Sequence, residues 1–157
     1  MLLVDEYLAL LALADRLPVS VRGERFALTY SRADRLTRAL LDPGPGRLAI
    51  RGRFSRVVDA LPPADQRVLH DRLADPDPGL LSIVDPRPFI RTAGALQNTY
   101  AVSLLQAETL AASVLNDWRI VFGESDSVSD AFRRAASELG LDLSVAGSVD
   151  VGGAFGL

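Results

Sequence analysis

The sequence contains no cysteine, no lysine and a single histidine, His70. Each of these absences removes a chemistry. Without a thiol there is no disulfide, no thiolate metal site and no cysteine nucleophile. Without lysine there is no Schiff base and no phosphate-loop lysine. One histidine cannot furnish a multi-histidine zinc centre, and nothing pairs Thr29 or Ser31 with a histidine in a hydrolase-like triad. Any catalysis must therefore come from carboxylates, hydroxyls and arginine. Long apolar runs are missing too. Leu8 to Leu13 is followed at once by Asp15 and Arg16, and a bilayer span needs about 20 apolar residues. The start, Met1 to Val4, turns acidic at Asp5 and Glu6 where a secretory signal would be basic. The expectation is a cytoplasmic protein with no membrane partner.

What is present is enough for one core. The 157 residues are 48% hydrophobic and 24% charged, an ordinary globular mixture for a single domain. All 17 basic residues are arginine, and the formal charge of -3 is unevenly spread. Residues 1–60 hold 10 arginines against 7 acids, whereas residues 61–157 hold 7 against 13. A basic first half suits a polyanion, and it equally suits a solvated helical surface. Arg47, Arg51, Arg53 and Arg56 flank both sides of the apolar arc formed by Ile50, Phe54, Val57, Val58 and Leu61 on an expected helix over 47–61. That placement favours snorkelling at a core boundary over a dedicated phosphate-binding stripe.

Short apolar runs alternate with helical periodicities along the chain. Strands are expected at Leu2–Val4, Phe26–Thr29, Leu80–Val84, Arg119–Phe122 and Leu141–Val145. Helices are expected over about 6–16, 31–41, 47–61, 64–74, from Pro86 or Pro88 to 98, 106–116 and 127–139. The Pro/Gly clusters at 42–46 and 75–79 are loops, and Gly140 caps the last helix. Helices between short strands imply an α/β fold: a three-layer α/β/α sandwich around a mostly parallel five-stranded sheet. Residues 1–145 form the domain, and the glycine-containing stretch 146–157 reads as a flexible tail.

In such sheets ligands bind beyond the carboxyl ends of the strands. Two carboxylate clusters stand there: Asp5 and Glu6 after the first strand, and Glu124 and Asp126, with Ser125, after the fourth. Oxygen ligands in that place suit Mg²⁺ or Mn²⁺. The same acids also suit helix N-termini, where negative charge is favourable by about 0.3–1 kcal/mol.

Three stretches carry a resemblance: Leu2-Leu3-Val4-Asp5 before an apolar helix, Leu105-Gln106-Ala107-Glu108-Thr109-Leu110-Ala111-Ala112, and Ile120-Val121-Phe122-Gly123-Glu124-Ser125-Asp126. With the close Ala136-Ser137-Glu138-Leu139-Gly140-Leu141, the chain over 1–145 resembles a PIN domain of the bacterial toxin type. The resemblance implies a parallel sheet in the order 3-2-1-4-5 and an acidic site holding Mg²⁺ or Mn²⁺ for cleavage of single-stranded RNA. It also implies a small antitoxin protein as partner, and a homodimer. Position by position, Asp5 takes the place of the first acid. The second falls near Asp34, with Arg35 in its register; the third falls on Gln106; the last falls among Glu124, Ser125 and Asp126. Asp5, Asp34, Glu124 and Asp126 are the candidate catalytic residues, and Asp5, Glu124 and Asp126 the candidate metal ligands. Glu108 lies two residues beyond Gln106, about 200° around a helix that opens at 106. Arg35 and Gln106 replace two acids of the set, so two readings stand: a metal-dependent ribonuclease, or a degenerate module that binds a protein or nucleic-acid partner without cutting.

Overall fold

The computed structural model describes residues 1–41, 57–123 and 128–146. Five strands form one sheet: β1 (Leu2–Val4), β2 (Phe26–Thr29), β3 (Leu81–Val84), β4 (Arg119–Phe122) and β5 (Leu143–Val145). The order is β3-β2-β1-β4-β5 and every pairing is parallel. This is the sheet the sequence reading anticipated, with no antiparallel member. Each parallel step needs a crossover, and helices supply them: α1 (Glu6–Leu13), α2 (Tyr30–Leu41), α3 (Pro63–Ala74), α4 (Ile90–Tyr100), α5 (Leu104–Asn116) and α6 (Asp130–Glu138).

The alternation of side chains along each strand divides the core in two. Leu2, Val4, Phe26, Leu28 and Val121 face a cluster built with α1, α2 and α3, including Leu10, Leu36 and Leu73. Leu3, Ala27, Ile120 and Phe122 face the opposite cluster, built with α4, α5 and α6, including Ala93, Leu110 and Phe132. That is a three-layer sandwich. All eight residues of α1 are buried, because α2 and α3 pack over it. This explains why its sequence lacks the polar stripe of an ordinary surface helix.

Helix ends follow local chemistry. Ser103 and Ser129 cap α5 and α6 by accepting from the amides of Gln106 and Phe132. Gly140 closes α6 with φ of 68°, a left-handed conformation that costs glycine little. The expected start of a helix near Pro86 or Pro88 is instead a 3-10 turn over Arg87–Phe89, and α4 follows it. Similarly, α5 opens at Leu104, two residues before the expected position. Ala146, taken from the sequence as the first residue of the tail, is buried and donates its amide to Phe122 O at 2.7 Å. The arginine-flanked stretch 47–56 and the segment 147–157 lie outside the described residues, as do Glu124 and Asp126. Among the described residues no helix is long and apolar enough to cross a membrane.

Candidate functional site

The chain runs β1 to β2 to β3 in one direction and then returns to place β4 on the other side of β1. The strand order therefore switches between β1 and β4, and the crevice at their carboxyl ends is where the fold presents ligand-facing groups. Asp5 stands there as the N-cap of α1. Its Oδ1 accepts from the Leu8 amide at 2.9 Å and its Oδ2 from the Gly123 amide at 3.0 Å, so one carboxylate joins the start of α1 to the end of β4. Complete burial pushes the Asp5 carboxyl up to about 6, and the neighbouring Glu6 charge adds to this; the two amide bonds and Arg32 pull the other way. Gly123 has no room for a side chain, since a Cβ would lie 2.3 Å from Tyr7 Cδ1. The amide that meets Asp5 is brought close by a ring packed against a bare glycine.

Beside Asp5 lies a buried charged network that crosses the top of the sheet. Arg32, on the first turn of α2 and only 3% exposed, donates from Nη1 to Glu6 Oε2 at 2.6 Å. Its Nε donates to Thr109 Oγ1 of α5 at 3.1 Å. Its guanidinium carbon sits 4.8 Å from the centroid of the Phe122 ring, within the range of a cation–π contact. Ser31 Oγ donates to Glu108 Oε1 at 2.8 Å. Among the described residues nothing hydrogen-bonds the second oxygens of the two glutamates, Glu6 Oε1 and Glu108 Oε2, or Thr29 Oγ1, and all three are buried. Arg35 lies at the rim, 41% exposed, with its Nη1 3.6 Å from Glu6 Oε1. A guanidinium taken out of water is expensive unless paired with good geometry. Here a carboxylate, a hydroxyl and an aromatic face together meet it.

The sequence candidates are distributed differently. Asp5 is in the crevice. Asp34 makes a surface pair with Arg38 at 3.0 Å, one helical turn along α2, and is not part of the buried network. Gln106 is occupied by helix ends: its Oε1 accepts from the Ser103 amide and from Ser129 Oγ, both at 3.3 Å, tying the N-terminus of α5 to that of α6. Glu124 and Asp126 fall outside the described residues. Sequence reasoning set Glu6 in the carboxylate cluster after the first strand but selected neither it nor Arg32 or Glu108 as a site residue. Two signals pointed to Glu108 and Arg32. Ser103-x-x-Gln106 is a capping-box pattern, and a helix opening there carries Glu108 into the buried face. Arg32 is four residues before the buried Leu36 and therefore stands on the apolar face of α2, an unusual place for a charge.

The divalent ion implied by the PIN-domain resemblance can be tested against this donor set. Mg²⁺ asks for a near-octahedral shell of oxygens, usually with one or two carboxylates and several waters. Among the described residues, no three Asp, Glu, His or Cys side chains are grouped to hold a metal. The Glu6 carboxylate already carries a guanidinium. Of the three candidate ligands Asp5, Glu124 and Asp126, only Asp5 is among the described residues. Comparison of the chain with protein-family models, with curated proteins and with solved structures finds no match.

Proposed function

We propose that this chain is a PIN-like domain whose acidic centre has been converted to an arginine–carboxylate network, and that it acts by binding a macromolecular partner without cutting it. The partner class follows from the resemblance: RNA, or a small antitoxin-like protein. The observation that carries this reading is the buried Arg32 guanidinium, bonded to Glu6 beside Asp5. A fixed positive charge there opposes a divalent cation directly and neutralises the Glu6 carboxylate that follows Asp5 in the chain. Metal-assisted phosphodiester cleavage needs an ion that lowers the pKa of an attacking water, and a guanidinium coordinates no water to activate.

The test is incubation of labelled single-stranded RNA with excess protein in Mg²⁺ or Mn²⁺. The expected result is intact RNA over hours. Metal-dependent cleavage that disappears in an Asp5→Asn variant would overturn the proposal and restore the ribonuclease reading.

A further inference from the structure

The network around Arg32 has the donor set of a site for one particular cation. Mg²⁺ is bound by a near-octahedral shell of oxygens, whereas a guanidinium is recognised by a carboxylate opposite its planar edge, by further acceptors in its plane and by an aromatic face against its flat side. Glu6 Oε2 and Thr109 Oγ1 accept from two different nitrogens of Arg32, and the Phe122 ring lies against it. The Thr109 hydroxyl is turned to act as an acceptor because its own proton goes to Leu105 O at 2.8 Å. Phe122 is held in turn by stacking on Phe132, centroids 5.4 Å apart. Among the described residues Glu6 Oε1 and Glu108 Oε2 are buried and accept no hydrogen bond, and Glu6 Oε1 faces the second guanidinium, Arg35, at 3.6 Å.

We propose that the carboxyl-end crevice is a guanidinium site, with Arg32 as its resident intramolecular occupant. Glu6 is the anionic partner, Thr109 the neutral acceptor and Phe122 the stacking face. The proposal rests on the reading that this crevice is not a metal centre, and it adds what the crevice is selective for. It also assigns Arg32 a mechanical role. The residue begins in the α1–α2–α3 layer and ends against α5 and β4, so it straps the two helical layers together across the carboxyl end of the sheet.

The test is chemical rescue. Thermal melts of wild type, Arg32→Ala and Arg32→Lys are compared with and without millimolar ethylguanidinium or MnCl₂. Arg32→Ala is expected to melt well below wild type and to regain about 2 °C or more with ethylguanidinium, a ligand that binds only its folded state. Neither MnCl₂ with any of the three proteins nor ethylguanidinium with wild type raises the midpoint. Arg32→Lys, with a charge but no planar fork, melts below wild type. Adding Glu6→Gln to Arg32→Ala abolishes the rescue. If Arg32→Ala is unfolded alone, ethylguanidinium restores its helical circular dichroism and MnCl₂ does not. Rescue by MnCl₂, absence of rescue by ethylguanidinium, or rescue that persists in the Glu6→Gln double variant each overturns the proposal. The RNA assay on wild type fails or succeeds independently, so loss of the non-cleaving reading is distinguishable from loss of this one.

Discussion

At Asp5, sequence and structure agree on position but differ on what the side chain does. Its place after β1 was legible because an acid follows a short apolar run and precedes an apolar helix. Its tasks are to hold two backbone amides across the β1–β4 crevice and to do so while buried. The energetic consequence has a definite sign. The folded carboxyl sits at about 6 and its ordinary value is 3.8, so between these values the folded chain binds more protons than the unfolded one. Stability contributed through Asp5 is present in acid, falls as the pH rises from about 4 to about 6, and is level above that, a change of about 3 kcal/mol. An Asp5→Asn variant lacks this titration. The difference in unfolding free energy, wild type minus Asp5→Asn, is therefore expected to decrease by about 2 kcal/mol from pH 4 to pH 7 in urea titrations, the rest of the change lying below pH 4. A difference that stays flat would show that Asp5 ionises in the fold as it does in water.

For the elements, strand positions and the starts of α1, α2 and α3 were readable to within one residue, and the starts of α4, α5 and α6 were not. β1, β2 and β4 fall where the apolar runs predicted them, since a buried parallel strand is a continuous apolar run. β3 and β5 are edge strands and are shorter than expected, which fits their single neighbour in the sheet. The start of α5 was displaced by two residues because the alanine-rich core of that helix dominates its periodicity, while the cap is set by a single serine. That small displacement changes the site: it removes Gln106 to the helix ends and carries Glu108 to Ser31. Gln106→Ala is accordingly expected to cost about 1 kcal/mol, by loss of the capping box and of the link to Ser129. Equilibrium unfolding measures this directly. A cost near zero would mean that the two helix starts are held by their serines alone.

Across the whole molecule, the two apolar clusters lie on opposite faces of one five-stranded sheet and are held in register by it. A cavity on one side should therefore lower the stability reported from the other. Leu10 is fully buried among α1, α2 and α3, and Trp118, the single tryptophan, packs against the opposite cluster. Leu10→Ala is expected to cost about 2.7–5 kcal/mol, with the same midpoint by tryptophan fluorescence and by far-ultraviolet circular dichroism. Separate midpoints would show two units where the packing indicates one.

By itself the amino-acid sequence determined the class of architecture and the available chemistry. Apolar runs and helical periodicities are local signals, and the parallel sheet follows from them because strands separated by helices can pair in little else. The absence of cysteine and lysine, with a single histidine, is likewise a property of composition. Only the tertiary structure decided which charges meet. Arg32 and Thr109 are 77 residues apart and Arg32 and Glu6 are 26 apart, so no spacing along the chain announces their contact. Arg35 was the arginine that register placed in the site, yet the 100° step between successive helical residues turns Arg32 into the core and leaves Arg35 at the rim. Burial then does the rest: in a medium poor in water, a guanidinium beside a carboxylate is held far more strongly than either would be at the surface.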